Sequence, residues 1–379
     1  MRIADATLFF CPRSGGVKRY LLQKHAWLRT HRPSVTHVCL IPGPCYGATG
    51  AIGVGGPYLP LTDGYRFPVN VSRWARALEL IAPDLIEVGD PWAPGEAGIR
   101  AARRLSVPLV AFHHSDLPRM IEQRAGRALA ACGWSWLQRF YARTDLVLAP
   151  SRVMLERLQC AGVERVGLQP LGVDPEVFHP RSRDRRLRER LELPPATRLL
   201  VYAGRFALEK HLESLVLAVE RLGPPYHLLL IGARRRGRVG ARVTALPYQR
   251  SPAALAACLA SADAFVHAGD RETFGLAVVE AMACGLPVVA VNAAALAELV
   301  NTDTGVLVDA PRPEQLAEGI AALFASDPKA RGRAAREFAQ RCYSWDAAFG
   351  TLMQHYASVL RGSRIDVEPT DVLAPRPGR

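Results

Sequence analysis

Short apolar runs alternate along the chain with longer stretches in which apolar positions recur every three or four residues. Ile3 to Phe10, Thr36 to Ile41, Asp84 to Val88, Pro108 to Phe112 and Asp145 to Ala149 predict strands buried on both faces. Helices are predicted between them, at Val17 to Leu28, Ser72 to Ile81, Gly95 to Leu105, Met120 to Ala142 and Ser151 to Leu158. The pattern then restarts: strand Arg198 to Tyr202, helix His211 to Leu222, strands His227 to Ile231 and Arg242 to Ala245, helix Pro252 to Ser261. A β-α-β-α alternation that occurs twice predicts an α/β protein of two doubly wound, Rossmann-like domains, with ligands held at the carboxyl ends of the strands. The seam falls between Pro170 and Pro195, where Arg181 to Arg186 is too charged for a core and Pro194-Pro195 interrupts regular structure. The division is therefore 1–180, 181–343, a helix from Ser344-Trp345 over 344–362, and a tail, 363–379, whose proline and charge predict disorder.

Composition narrows the classes. A chain of 379 residues has room for two ordinary domains, and 49% hydrophobic with 22% charged residues fits a globular protein. No apolar run approaches the roughly 18–20 residues of a membrane span, and the N-terminus, without a basic lead, reads as a first strand. Eight scattered cysteines form no C-x-x-C pair and have no histidine at metal spacing, so reduced thiols, a cytoplasmic setting and no metal are expected. The net charge of +13 would suit an anionic partner. Lysine, however, occurs only at 18, 24, 210 and 329, so nearly all the positive charge is arginine, as compositional drift alone produces. Aromatic stacking platforms interleaved with the basic runs are missing, so no nucleic-acid partner is expected.

The chemistry concentrates in Ala262 to Ala290, an apolar run followed by the polar turn Gly269 to Thr273, a helix from Phe274 to Ala283 and a second apolar run after Gly285 and Pro287. Thr273 is the expected N-cap. The first helical amides, of Phe274, Gly275 and Leu276, lack intrahelical partners and suit a phosphate. Glu272 precedes the helix and Glu280 lies within it. Such a pair is ordinarily a cap and a solvated face, but Glu280 is set among Ala277, Val278, Val279 and Ala281 to Ala283, where an unpaired carboxylate is costly.

A second strand end, Val201 to Lys210, turns at Gly204 and places Arg205 and Lys210 five residues apart. They read either as a solvated pair beside Glu209 or as a clamp for a diphosphate. Phe112 to Pro118 also follows a strand and offers His113 and His114. Ser14 to Lys18 joins the first strand to the first helix, and Gly15 and Gly16 let the backbone approach a ligand. The helix between Arg119 and Arg143 mixes Trp134, Trp136, Leu137, Phe140 and Tyr141 with Arg124, Arg127 and Arg139, which reads as core or as a surface for lipid headgroups.

Four of these segments together resemble one family. Glu272 to Glu280 is similar to the E-x7-E signature of the retaining nucleotide-sugar glycosyltransferases of family 4, and Gly204-Arg205 to Lys210 to their G-R-x4-K motif. His114 to Pro118 resembles the H-T-N-x-P loop, which favours His114 over His113, and Gly172 to Pro180 resembles the G-V-D-x3-F-x-P linker. The basic stretch Ala233 to Arg238 departs from the pattern, since relatives usually have an acidic or Gly-Pro turn there. The resemblance implies the GT-B fold, with two domains facing across a cleft and the C-terminal helix crossing back to the first. It also assigns roles. Arg205 and Lys210 would hold the diphosphate, and Glu280 the ribose. Glu272 with Thr273, Phe274, Gly275 and Leu276 would hold the sugar, helped by His114, while Gly15 and Gly16 would lie near the phosphates and the acceptor.

The implied activity is metal-independent transfer of a hexosyl group, with retention, from a GDP-mannose or UDP-hexose type donor to a hydroxyl of a lipid-linked, glycan or small-molecule acceptor. No cofactor is implied beyond that donor. Lipid-linked acceptors would bring the protein to the inner face of the membrane as a peripheral protein. A sugar-nucleotide epimerase, a phosphorylase or a non-catalytic binding protein on the same scaffold is the alternative.

Overall fold

The computed structural model describes residues 1–11, 15–45, 49–58, 66–67 and 69–362. Ser14 and the tail 363–379 lie outside the described residues, as does the side chain of Arg124. The described residues divide into two units, Met1–Leu171 with 348–362, and Gly172–Ala347.

The first unit contains β1 (Arg2–Ala6), α1 (Gly16–His31), β2 (Thr36–Ile41), β3 (Ala51–Gly53), α2 (Val71–Ile81), β4 (Leu85–Val88), α3 (Ala93–Leu105), β5 (Leu109–Phe112), α4 (Leu117–Tyr141), β6 (Leu146–Ala149), α5 (Arg152–Cys160) and β7 (Val166–Leu168). Its seven described strands run parallel in the order β3-β2-β1-β4-β5-β6-β7. Helices cover both faces of such a sheet, so β4, β5 and β6 are buried throughout, the reason they read as unbroken apolar runs. Polar side chains fix the helix starts: Asn70 Oδ1 accepts from Arg73 N at 2.9 Å and Ser151 Oγ from Met154 N at 3.3 Å.

Helix α4 begins at Leu117, capped by Asp116, and is interrupted at Gly126 (φ 84°). Leu137, Phe140 and Tyr141 are buried, and Trp134 and Trp136 pack against the same core cluster. Phe140 and Tyr141 are thus core residues and Trp134 and Trp136 are half-buried against that core, while Arg127 and Arg139 are exposed.

One polar cluster is sealed inside this unit. Lys24 is fully buried and donates to Asp5 at 2.8 Å, and its ammonium lies 3.2 Å from Glu87. His37 Nε2 sits 2.9 Å from Asp5, and Tyr20 donates to Glu87 at 3.0 Å. The hydroxyl of Tyr356 completes the cluster by accepting from Lys24 at 2.6 Å and donating to Glu87. Tyr356 belongs to the chain's last described helix, which this cluster ties to β1, β4 and α1.

The second unit contains α6 (Leu187–Arg190), β8 (Arg198–Ala203), α7 (Leu212–Leu222), β9 (Tyr226–Ala233), β10 (Gly237–Gly240), β11 (Val243–Pro247), α8 (Pro252–Ala260), β12 (Ala264–His267), α9 (Leu276–Ala283), β13 (Val288–Val291), α10 (Leu296–Leu299), β14 (Gly305–Val308), α11 (Pro313–Ala325) and α12 (Pro328–Tyr343). The order is β10-β11-β9-β8-β12-β13-β14, parallel except for β10, which pairs antiparallel with β11. That added edge strand is built from the basic stretch after β9, where Arg238 donates to Ala241 O at 2.6 Å. The chain enters this unit at Gly172, where Val173 N donates to Tyr343 O at 2.7 Å and Trp345 N to Val173 O at 3.2 Å. Helix α13 (Trp345–Leu360) begins in the second unit and passes into the first at Ala348.

Candidate active site

Strands β8 and β12 are adjacent and parallel, so the segments leaving their carboxyl ends lie side by side. After β8 the chain turns at Gly204 and forms a single 3-10 turn, Leu208–Lys210. After β12 it runs through Gly269 to Gly275 before α9. This arrangement brings Lys210 to Glu272, two residues far apart in sequence, as an ion pair between partly buried side chains. His267, the last residue of β12, places Nε2 at 2.9 Å from the same Glu272 oxygen. Burial pushes the Glu272 carboxyl up, but Lys210 and His267 more than offset it and hold it well below the usual carboxylate range.

The helix itself starts later than expected. Its N-cap is Gly275, in the left-handed conformation (φ 93°), so the cap position falls two residues past Thr273. A Cβ at Gly275 would lie 2.9 Å from Leu299 Cδ1 and 3.2 Å from Leu296 Cδ2, so both the backbone and the packing require glycine. Glu280 lies in the middle of α9 and is 2% exposed, not on a solvated face.

Arg205 and Lys210 differ sharply in setting. Arg205 is largely exposed, with Glu209 at 3.6 Å, whereas Lys210 is 9% exposed and engaged by Glu272. An ammonium carries three donors, so Lys210 can hold the carboxylate and still offer a proton to a phosphate oxygen. Three further groups border the turn: His211 Nε2 and Arg271 Nε each lie 3.3 Å from Asp270 Oδ1. Sequence reading missed them and His267. An imidazole ending an apolar strand five residues before Glu272 was the available signal.

In the first unit, His113 follows β5, is buried, and has Nδ1 2.8 Å from the Tyr141 hydroxyl. His114 is half-buried and stacks on Phe112 with ring centroids 4.0 Å apart. Burial lowers both, His113 to about 4 and His114 to about 3, so each is a neutral imidazole near pH 7. Gly15 is the N-cap of α1, Gly16 begins it, and among the described residues a Cβ on Gly15 would meet no atom within 4 Å. Among the described residues no group of His, Cys, Asp and Glu could hold a metal ion, and no helix is long and apolar enough to cross a membrane.

Known proteins resemble this chain over most of its length. The profile of glycosyl transferases group 1 matches residues 183–341, and that of glycosyltransferase family 4 matches residues 14–177. A Mycobacterium tuberculosis protein named GDP-mannose-dependent alpha-(1-6)-phosphatidylinositol dimannoside mannosyltransferase is 31% identical over 369 residues, covering 93% of this chain and 95% of its own length. A GDP-mannose-dependent alpha-mannosyltransferase of Mycolicibacterium smegmatis is 33% identical, covering 73% of this chain and 74% of its own. Among solved structures, sucrose-phosphate synthase from Thermosynechococcus elongatus superposes with a TM-score of 0.80 at 22% identity, over 96% of this chain and all of that one. Anabaena HepE in complex with UDP and glucose gives 0.75 at 19% identity, over 93% and 99%. These two share the fold. None of these relatives favours an epimerase or a non-catalytic role. With that length of shared sequence and two Rossmann-like units of GT-B type, the chain belongs to the family 4, group 1 glycosyltransferases and is a nucleotide-sugar glycosyltransferase.

Proposed function

We propose that the enzyme transfers a mannosyl group from GDP-mannose, with retention, to a hydroxyl of a lipid-linked glycan. The observation that supports the donor is that the mycobacterial relatives, aligned over most of the chain, carry GDP-mannose in their names. A phosphatidylinositol mannoside in one of those names supports an acceptor of lipid-linked type. Lys210 and Glu272, joined at the carboxyl ends of β8 and β12, are the centre of the donor site in this reading.

Arg205 and Lys210 bind the diphosphate and offset the charge that develops on it as the glycosidic bond breaks. Glu272 and the amides of Thr273, Phe274, Gly275 and Leu276 hold the mannose, and Glu280 the ribose. His114, a neutral imidazole, exchanges hydrogen bonds with the sugar without changing charge near pH 7. In this scheme Gly15 and Gly16 belong to the acceptor side. The leaving phosphate oxygen takes the acceptor's proton on the face it departs from, so configuration is retained, and no residue of this chain has to serve as the base. Neither a metal nor a further cofactor enters this scheme. The proposed setting is cytoplasmic, peripheral at the inner membrane face where such an acceptor is presented.

Arg205→Ala tests the clamp, because this side chain is exposed and its loss leaves the fold intact. Transfer from GDP-mannose should fall by about 100-fold or more, of the order seen when one charge-stabilising group is removed. Unchanged turnover would remove Arg205 from the mechanism. Comparing GDP-mannose with UDP-glucose in the same assay tests the donor.

A further inference from the structure

The contacts of Glu272 are lopsided. Lys210 Nζ and His267 Nε2 both converge on Oε1, and Oε2 has no partner among the described residues. His267 is 2% exposed and wedged between the rings of Tyr202 and Phe265, with centroids 5.5 Å and 6.3 Å away. Its tautomer is set by its other nitrogen. Gly269 N donates to Nδ1 at 3.0 Å, so Nδ1 presents a lone pair and the ring proton sits on Nε2, aimed at Glu272. Gly269 makes that approach possible: a Cβ there would lie 2.6 Å from His267 Cε1 and 3.2 Å from Glu209 O.

We propose that His267 is a positioning residue whose Nε2–H pins Oε1 of Glu272, so that Oε2 faces the hydroxyls of the donor sugar. This rests on the donor-site reading above. Lys210 alone would not fix the carboxylate, because an ammonium on a flexible stem is a point charge about which a carboxylate can swivel. A second donor in a different direction, on a buried ring that cannot turn, leaves one orientation. A backbone N–H sets the tautomer of His267, and His267 in turn sets the rotamer of a residue that touches the sugar.

The test separates sugar from nucleotide. Calorimetry of the full chain compares GDP-mannose with GDP for the wild type, His267→Leu and His267→Gln, with thermal melts as the folding control. The Gln amide places an N–H near the Nε2 position, and Leu removes it. His267→Leu should weaken GDP-mannose about 10- to 100-fold, as expected for loss of a hydrogen bond to a charged group, and GDP less than about twofold. His267→Gln should recover most of the loss. Where the Leu variant does not fold, His267→Asn replaces it, since its shorter amide reaches Gly269 and not Glu272. Equal weakening of GDP and GDP-mannose, no weakening of either, or a Gln variant as poor as Leu would each overturn the proposal. Glu272→Ala tests the reading beneath it. If that variant binds GDP-mannose as the wild type does, the sugar is not held by Glu272 and the donor-site reading fails whatever His267 does.

Discussion

Two carboxyls in this enzyme, one buried and one half-buried, are pushed in opposite directions. Asp90, just beyond β4, is 3% exposed, and burial raises it to about 7 against the hydrogen bonds from Leu8 N, the Thr7 hydroxyl and Trp92 N. A folded-state value above the unfolded one, about 3.9, means stability that is complete below pH 4 and lost as pH rises towards 7. About 2–3 kcal/mol of that loss falls between pH 5 and pH 8. Asp90→Asn should abolish it, so by urea denaturation the change in stability from pH 5 to pH 8 should be more favourable in the variant than in the wild type by about 2–3 kcal/mol. Glu272 is depressed, so its contribution is present above the unfolded value of about 4.3 and is lost only as pH falls through the lower folded value. Lys210→Met removes the largest favourable influence on that carboxyl, and the acid midpoint of unfolding should move upward in a circular-dichroism titration. The individual residues were unevenly legible. Glu272 and Lys210 stand in turns at strand ends, where charge is visible in the sequence. His267 and Lys24 lie within runs of helical or strand spacing, and only the folded backbone discloses that their polar atoms have been brought to partners.

At the scale of elements, the parallel strands were readable because burial on both faces leaves a continuous apolar signature, as in β5 and β6. The start of α9 was not, because a left-handed glycine rather than a hydroxyl side chain opens it. Nor was β10, since arginines and glycines carry no strand pattern and pairing with β11 alone makes that segment extended. Helix α13 read as helix, but what fastens it did not. Its attachment runs through Tyr356, whose hydroxyl accepts from the Lys24 ammonium and donates to the Glu87 carboxylate. Tyr356→Phe keeps the ring and should cost about 1–3 kcal/mol, the penalty for leaving buried polar groups short of a partner. Lys24→Met should cost more, about 3–5 kcal/mol, because Asp5 and Glu87 then remain buried without a cation. Equilibrium denaturation of the two variants gives the ranking, and a Phe variant as stable as the wild type would mean that α13 is held by apolar packing alone.

For the whole molecule, two repeats of a β-α pattern sufficed to predict two Rossmann-like units, because each unit carries its own buried sheet and core. The net charge of +13 predicted nothing about the partner; its arginines lie mostly on exposed positions such as Arg183, Arg185 and Arg186. A nucleotide sugar at 100 times its dissociation constant should stabilise the enzyme by about 2.7 kcal/mol. Thermal melts with GDP-mannose, UDP-glucose and an ADP-sugar should therefore show one large upward shift, for GDP-mannose, and equal small shifts would count against a GDP-mannose donor.

The Tyr356 hydroxyl also dictates an order of events during synthesis. The first unit emerges from the ribosome ahead of the second, and Asp5, Lys24 and Glu87 all precede α3. Its sealed ionic knot must then wait, one donor short, while the entire second unit is translated, and it closes only when α13 arrives. The half of the enzyme that is born first is the half that matures last.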